Sequence, residues 1–188
     1  MDGPLKNDAP PSNDAPPSND TGAKGFAIVV QPDHGESWWQ PEPANGFAEV
    51  RVSRRNDPRV QGFSHGIQVI APGCYVRDHS HDANQEVLFF FEGEGKVVID
   101  GGEEHALRAG TSVYLGPKRR HTFINTGDKP LKMAWVLMPG GLEDFFQGIG
   151  RPRQPGQDAP EPFARPADVL EIEKKTVFAP PPAKPVNR

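Results

Sequence analysis

The chain has a single cysteine, Cys74, in 188 residues. That excludes an internal disulfide and fits a reducing compartment. It has no basic excess either: 21 Lys and Arg stand against 25 Asp and Glu, a net charge of −4. A nucleic-acid partner would call for a clustered surplus of positive charge. No apolar stretch approaches the ~20 residues that span a bilayer. The N-terminus lacks the basic start and apolar run of a secretion signal. The expectation is a cytoplasmic protein with neither a nucleic-acid nor a membrane partner.

Proline and glycine are abundant instead, with 22 and 20 copies. Both are poor in helix interiors, which argues against a helical bundle. Their placement separates two kinds of segment. Residues 1–22 hold five prolines in a duplicated run, Asn7 to Ser12 and Asn13 to Ser18, with no large apolar residue after Leu5. Such a stretch cannot bury enough surface to offset its ordering entropy, so a disordered tail is predicted there. Nine more prolines follow Gly150, whereas 17 of the 20 glycines lie between Gly25 and Gly150.

That middle region reads as short strands separated by turns, recurring about every ten residues. The predicted strands are Gly25–Gln31, Phe47–Ser53, Gly66–Ala71, Cys74–His79, Glu86–Phe91, Lys96–Asp100, Glu104–Leu107, Ser112–Leu115, His121–Asn125 and Leu131–Met138. The spacing points to an all-β sandwich or barrel. After Gly140-Gly141 the period changes. Leu142, Phe145, Phe146 and Ile149 fall on one face of a short helix, and a second helix is predicted from Pro166 to Lys175. Both are expected to pack outside the barrel. The divisions drawn are 1–22 for the tail, 23–140 for the barrel and 141–188 for a helical, Pro-rich extension.

Chemistry concentrates in a few residues. His79 and His81, at i and i+2 on an extended strand, point to the same face, so their imidazoles can converge on one cation. Glu86 opens the apolar strand Val87-Leu88-Phe89-Phe90-Phe91, where a charge is costly to bury unless it is paired or metal-bound. His121 would be a fourth ligand from a strand adjacent in space. Two or three histidines with one carboxylate suit one divalent ion, Fe(II) first, with Mn, Ni, Co and Zn as competitors.

The spacing Gly73-x5-His79-x-His81-x4-Glu86-x6-Gly93 resembles the first cupin motif at every defining position. Gly110, His121 and Asn125 resemble the second. There the usual proline and glycine would fall at Gly116 and Lys118, with Pro117 displaced by one. The resemblance covers roughly residues 65–140. It implies a small jelly-roll (cupin) β-barrel, with the metal held inside by His79, His81, Glu86 and His121. A shorter stretch, Pro139 to Phe146, is similar to the segment after the barrel in single-domain quercetinase-like cupins. This implies an iron dioxygenase, an oxidoreductase that opens a flat enol or phenol with O2, with Glu86 doubling as catalytic base. It also favours a homodimer. The alternatives are a non-oxidative isomerase, lyase, decarboxylase or cyclase using the metal as Lewis acid, and a non-catalytic ligand-binding cupin.

Strand parity then predicts the lining. With Glu86 inward, so are Leu88 and Phe90; with His121 inward, so is Phe123. Leu131, Met133, Trp135 and Leu137 share the inner face, and Tyr75 and Arg77 share parity with His79. The expected small-molecule substrate contacts are Tyr75, Leu88, Phe90, Phe123, Met133 and Trp135. Trp38-Trp39 is expected in a loop packed on a barrel edge, Glu92-Gly93-Glu94-Gly95 as a hairpin turn, and Cys74 as a small buried residue. Lys118-Arg119-Arg120 is read as a solvated turn, with attraction of an anionic substrate as the alternative.

Overall fold

The computed structural model describes residues 24–181. The tail predicted over residues 1–22 lies outside them, as do residues 182–188. The chain runs β1 Glu36–Trp39, β2 Phe47–Val52, β3 Ser64–Ile70, β4 Tyr75–His79, β5 Gln85–Glu92 and β6 Glu94–Ile99. It continues through β7 Glu103–Arg108, β8 Ser112–Leu115, β9 His121–Asn125, β10 Leu131–Met138, helix α1 Leu142–Ile149, β11 Arg151–Pro152 and helix α2 Val169–Lys175. Pairing is antiparallel throughout. A seven-stranded sheet has the order β11-β1-β2-β3-β10-β5-β8, and a four-stranded sheet the order β4-β9-β6-β7.

Alternation of side chains makes these two sheets enclose one core. In β10, Leu131, Met133, Trp135 and Leu137 are buried while Lys132, Ala134, Val136 and Met138 are only half covered. Phe90 from β5 and Phe123 from β9 meet across the sheets with ring centroids 5.6 Å apart. Trp135 is the largest wholly buried side chain, and the facing strand makes room for it with a glycine. A Cβ on Gly66 would lie 2.5 Å from the Trp135 ring and 2.2 Å from the Glu49 carbonyl.

Glu92 to Gly95 is not a hairpin turn, because β5 and β6 belong to different sheets. The turn is a corner that carries the chain from one sheet to the other. Gly93 adopts a φ of +85°, and a Cβ there would stand 2.4 Å from the Pro130 carbonyl. Only glycine meets both demands.

Three sequence expectations need correction. Gly25–Gln31 forms no strand: the position beside β2 is taken by β1, and Phe26 and Val29 stay exposed. Trp38 and Trp39 lie in β1 rather than in a loop, both buried, paired with Ala48 and Phe47 on one side and with β11 on the other. Cys74 is half-buried, its sulfur 3.5 Å from the Asn45 amide nitrogen. The helices do pack on the barrel from outside. Their place is its open end, and Phe146 of α1 meets the Trp135 ring at 5.9 Å. No helix among the described residues is long and apolar enough to cross a membrane.

Candidate metal centre

His79 ends β4 and His121 begins β9, and the antiparallel register sets them directly opposite each other. His81 lies two residues on, in a short bridge to Phe178. One ring nitrogen from each of His79, His81 and His121 falls within 4.8 Å of the other two. Glu86, at the start of β5 in the facing sheet, brings Oε2 to 3.4 Å from His81 Nε2 and 3.6 Å from His121 Nε2.

The backbone prepares two of these rings. Nδ1 of His79 lies 2.8 Å from the Arg77 carbonyl, and Nδ1 of His121 lies 2.9 Å from the Arg119 carbonyl. A protonated Nδ1 donating to each carbonyl leaves the Nε2 lone pair free to face inward. Burial holds the pKa of His79 well below 6.5, and the neighbouring His121 and His81 add to that. His121 is lowered too, again chiefly by burial, although the charge of Glu86 opposes it. Both rings are therefore neutral near pH 7, which is the ligating form.

The donor set fits a cation. His81 Nε2, Glu86 Oε2 and His121 Nε2 are buried without a hydrogen-bond partner among the described residues. Leaving one buried polar atom unpaired costs ~1–3 kcal/mol, and here several converge on one point. The Glu86–His81 and Glu86–His121 separations of 3.4 and 3.6 Å match donors about 2.1 Å from a common ion. Nitrogen and carboxylate donors of this kind suit a divalent transition metal, and the chemistry of the set alone does not choose which.

A cavity open to solvent begins at this cluster. His79, His81 and Glu86 line its inner end and Phe123 its wall, while Phe145, Phe146 and Ile149 of α1 close it from above. Phe178 packs on the His79 and His81 rings at 5.4 and 5.2 Å, and on Phe145 at 4.3 Å. Gln40 and Gln68, buried and 2.6 Å apart through their amides, add polarity.

Of the expected substrate contacts, Phe123 and Tyr75 border this cavity. Leu88, Phe90, Met133 and Trp135 do not. They face inward as parity requires, but lie deeper, filled against one another as packed core. Tyr75 stands at the rim, 44% exposed. The reason is a register shift in β4. Val76 pairs with the inward Phe123 and His79 with the inward His121, so the alternation breaks between them and Tyr75 turns out.

Lys118, Arg119 and Arg120 stay outside the cavity, each against an aspartate: Asp82 at 3.5 Å, Asp100 at 2.8 Å and Asp78 at 2.9 Å. The turn is solvated and its charges are spent on these partners. Lys118 has a φ of 62° where the second motif would carry glycine, so the loop keeps the left-handed shape despite the altered residue. Asn125 is no ligand. Its amide donates to the carbonyls of Ile70, Ala71 and Lys129, and its Oδ1 accepts from the Gly127 N–H, tying the β3–β4 connection to the β9–β10 connection.

Sequence reasoning missed Arg165 and Phe178, which line the cavity from a segment without strand alternation. Only the phenylalanines of α1 carried a periodic signal.

Residues 66–137 match the family described as Cupin domain. Over 80 residues the chain is 32% identical to "Polyketide synthase CurC" of Streptomyces cyaneus, a match covering 43% of this chain and 51% of that protein. It is 31% identical over 97 residues to "L-ectoine synthase" of Vibrio parahaemolyticus, covering 51% of this chain and 73% of that one. The chain thus spans only about half the length of the first of these relatives. Among solved structures, that of the polyketide cyclase RemF from Streptomyces resistomycificus superposes with a TM-score of 0.53 at 13% identity, over 60% of this chain and 80% of that one.

Proposed function

The chain belongs to the cupin superfamily, and from that premise we propose that it is a metal-dependent enzyme whose chemistry on a small molecule is non-oxidative. The observation that carries this reading is the convergence of unpartnered His81, Glu86 and His121 atoms at the inner end of an apolar cavity. His79, His81, His121 and Glu86 would hold one divalent ion, which supplies Lewis acidity toward a substrate oxygen. Glu86 is the one carboxylate inside the cavity, since Glu42 is exposed at its rim. It is therefore the group placed to take a proton from the substrate. Phe123, Phe145 and Phe178 orient a flat apolar body and keep water from it. The relatives bear the names of synthases, which supports lyase, cyclase or isomerase chemistry over oxygenation.

The second reading is a dioxygenase acting on an enol or phenol. What favours it is the donor set itself, since histidines with one carboxylate suit Fe(II) and oxygen chemistry. A panel of enolisable carbonyl compounds and polyphenols, offered to protein loaded in turn with Fe, Mn, Co, Ni or Zn, separates the two. Turnover without oxygen supports the first reading, and turnover strictly coupled to oxygen uptake supports the second. A fully loaded protein inert on every compound would overturn both.

A homodimer belongs to the same proposal. Val87, Phe89, Phe91 and Tyr114 form an exposed apolar patch on the outer face of the seven-stranded sheet. Such a patch suits a second copy of this chain. Phe89→Glu is then expected to convert a dimer to a monomer in light scattering, and a monomeric wild type would contradict this.

A further inference from the structure

Two arginines meet at the mouth of the cavity from distant parts of the chain. Arg77 comes from β4, two residues before His79, and Arg165 from the loop ahead of α2; both line the cavity. Between them stands a single carboxylate, Glu173 of α2. Its Oε1 accepts from Arg165 Nη2 at 2.7 Å and from Arg77 Nη2 as well. Glu173 is buried, and the Arg77 and Arg165 side chains are 34% and 21% exposed.

The charges do not balance. Two guanidiniums share one carboxylate, which leaves one positive charge facing the cavity. The other acidic groups nearby do not remove it. Asp78 is held by Arg120, and Glu42 points to solvent at the rim, its backbone N–H fixed on the Phe163 carbonyl. Each guanidinium carries five N–H donors in a planar fork, and among the described residues each spends only one group, Nη2, on Glu173. Crowding of like charge shows in Arg165, whose pKa is brought down to about 10 by burial first and by Arg77 second. A partly dehydrated arginine pair that shares one carboxylate and keeps further N–H donors free at a pocket mouth is suited to take a second carboxylate through two parallel hydrogen bonds.

We propose that Arg77 and Arg165 bind the carboxylate of the substrate, so that the molecule handled by this protein is an organic monoacid with a flat apolar body. The proposal rests on reading His79, His81, His121 and Glu86 as the reactive centre. The acid group sits at the mouth, the body lies along Phe145, Phe178 and Phe123, and the reacting end reaches the histidines. Glu173 cancels one of the two positive charges and ties both forks to α2, which sets the pair for a monoanion rather than a dianion.

Calorimetric titration of the full-length chain with naphthoate and with its neutral isostere naphthamide tests this, in metal-loaded and in chelator-treated protein. Naphthoate is expected to bind at least about tenfold more tightly than naphthamide in both states. In Arg165→Met the preference should vanish, while metal content stays as in the wild type. Arg165 lies in a loop outside every strand, and Arg165→Gln carries the same expectation should the methionine variant not fold. Equal binding of the two probes by the wild type, or a preference that survives in the variant, would overturn the proposal. A preference confined to metal-loaded protein would overturn it too, because the carboxylate would then be sitting on the metal. If no metal binds and the preference persists, the metal reading fails and the arginine site stands.

Discussion

His121 and Arg165 serve the same cavity from unlike surroundings. His121 opens a strand in which every second residue faces inward, and it is wholly buried opposite His79. Arg165 stands in a stretch with no helix or strand, held by one carboxylate of α2. At the barrel end, paired strands place His79, His121 and Glu86, while His81 is held by a single bridge to Phe178. The closing segment, residues 142–181, rests on side-chain contacts and a few backbone bonds, such as Asp82 N–H to the Val177 carbonyl and Ala179 N–H to the Ser80 carbonyl. Metal geometry therefore belongs to the strands, and discrimination among substrates belongs to the segment laid over them.

The sharpest way to break this contrast is to remove packing from each region in turn. Trp135→Ala, in the barrel core, is expected to cost ~3–5 kcal/mol in urea unfolding. Phe178→Ala, which packs on the His79 and His81 rings and on Phe145, should cost clearly less and leave the core transition intact. Equal costs would mean that the closing segment is as much core as the strands are. Next in size is Asn125→Ala. It leaves the buried Ile70 carbonyl and the more exposed Lys129 carbonyl without their amide donor and should destabilise by ~1–3 kcal/mol without changing metal content. A loss of metal with no loss of stability would make Asn125 part of the centre instead.

The smallest effect is a gain. Lys118 holds a φ of 62°, a conformation that costs a side-chain-bearing residue ~1–2 kcal/mol. Lys118→Gly should recover part of that, about 1 kcal/mol or less after the extra freedom of the unfolded glycine is counted. A destabilised variant would show that the Lys118–Asp82 pair outweighs the strain.

Much of the barrel was legible because alternation with period two and glycine-marked turns are local signals. Nine of the ten strands expected from patterning recur, from Phe47 to Met138, and so does the helix with Phe145 and Phe146. The histidines and Glu86 were legible as a group through their joint motif spacing with Gly73, Gly93 and Gly110, although Glu86 reaches the site from the facing sheet. The failures have the opposite cause. Gly25–Gln31 has strand composition but no free edge to pair with, and only the three-dimensional arrangement reveals that β1 and β11 occupy that edge. Tyr75 does border the cavity as its shared parity with His79 suggested, and one irregular register in β4 leaves it at the rim, 44% exposed. Leu88, Phe90, Met133 and Trp135 do face inward, yet parity says nothing of depth, so core and cavity lining look alike in sequence. Arg165, Glu173 and Phe178 lie at long range from the motifs, and no local pattern ties them to the histidines.

The central claim is that His79, His81, His121 and Glu86 together hold one divalent ion. Elemental analysis of protein loaded in turn with Fe, Mn, Co, Ni and Zn, and then freed of loosely bound ion, tests it most directly. One tightly held equivalent per chain is expected in the wild type, with affinity lowered at least about 100-fold in His121→Ala and in Glu86→Gln, since even outer-sphere partners of metal ligands cost 10–100-fold. A folded His79→Ala/His121→Ala/Glu86→Gln variant that retains as much metal as the wild type would contradict the account.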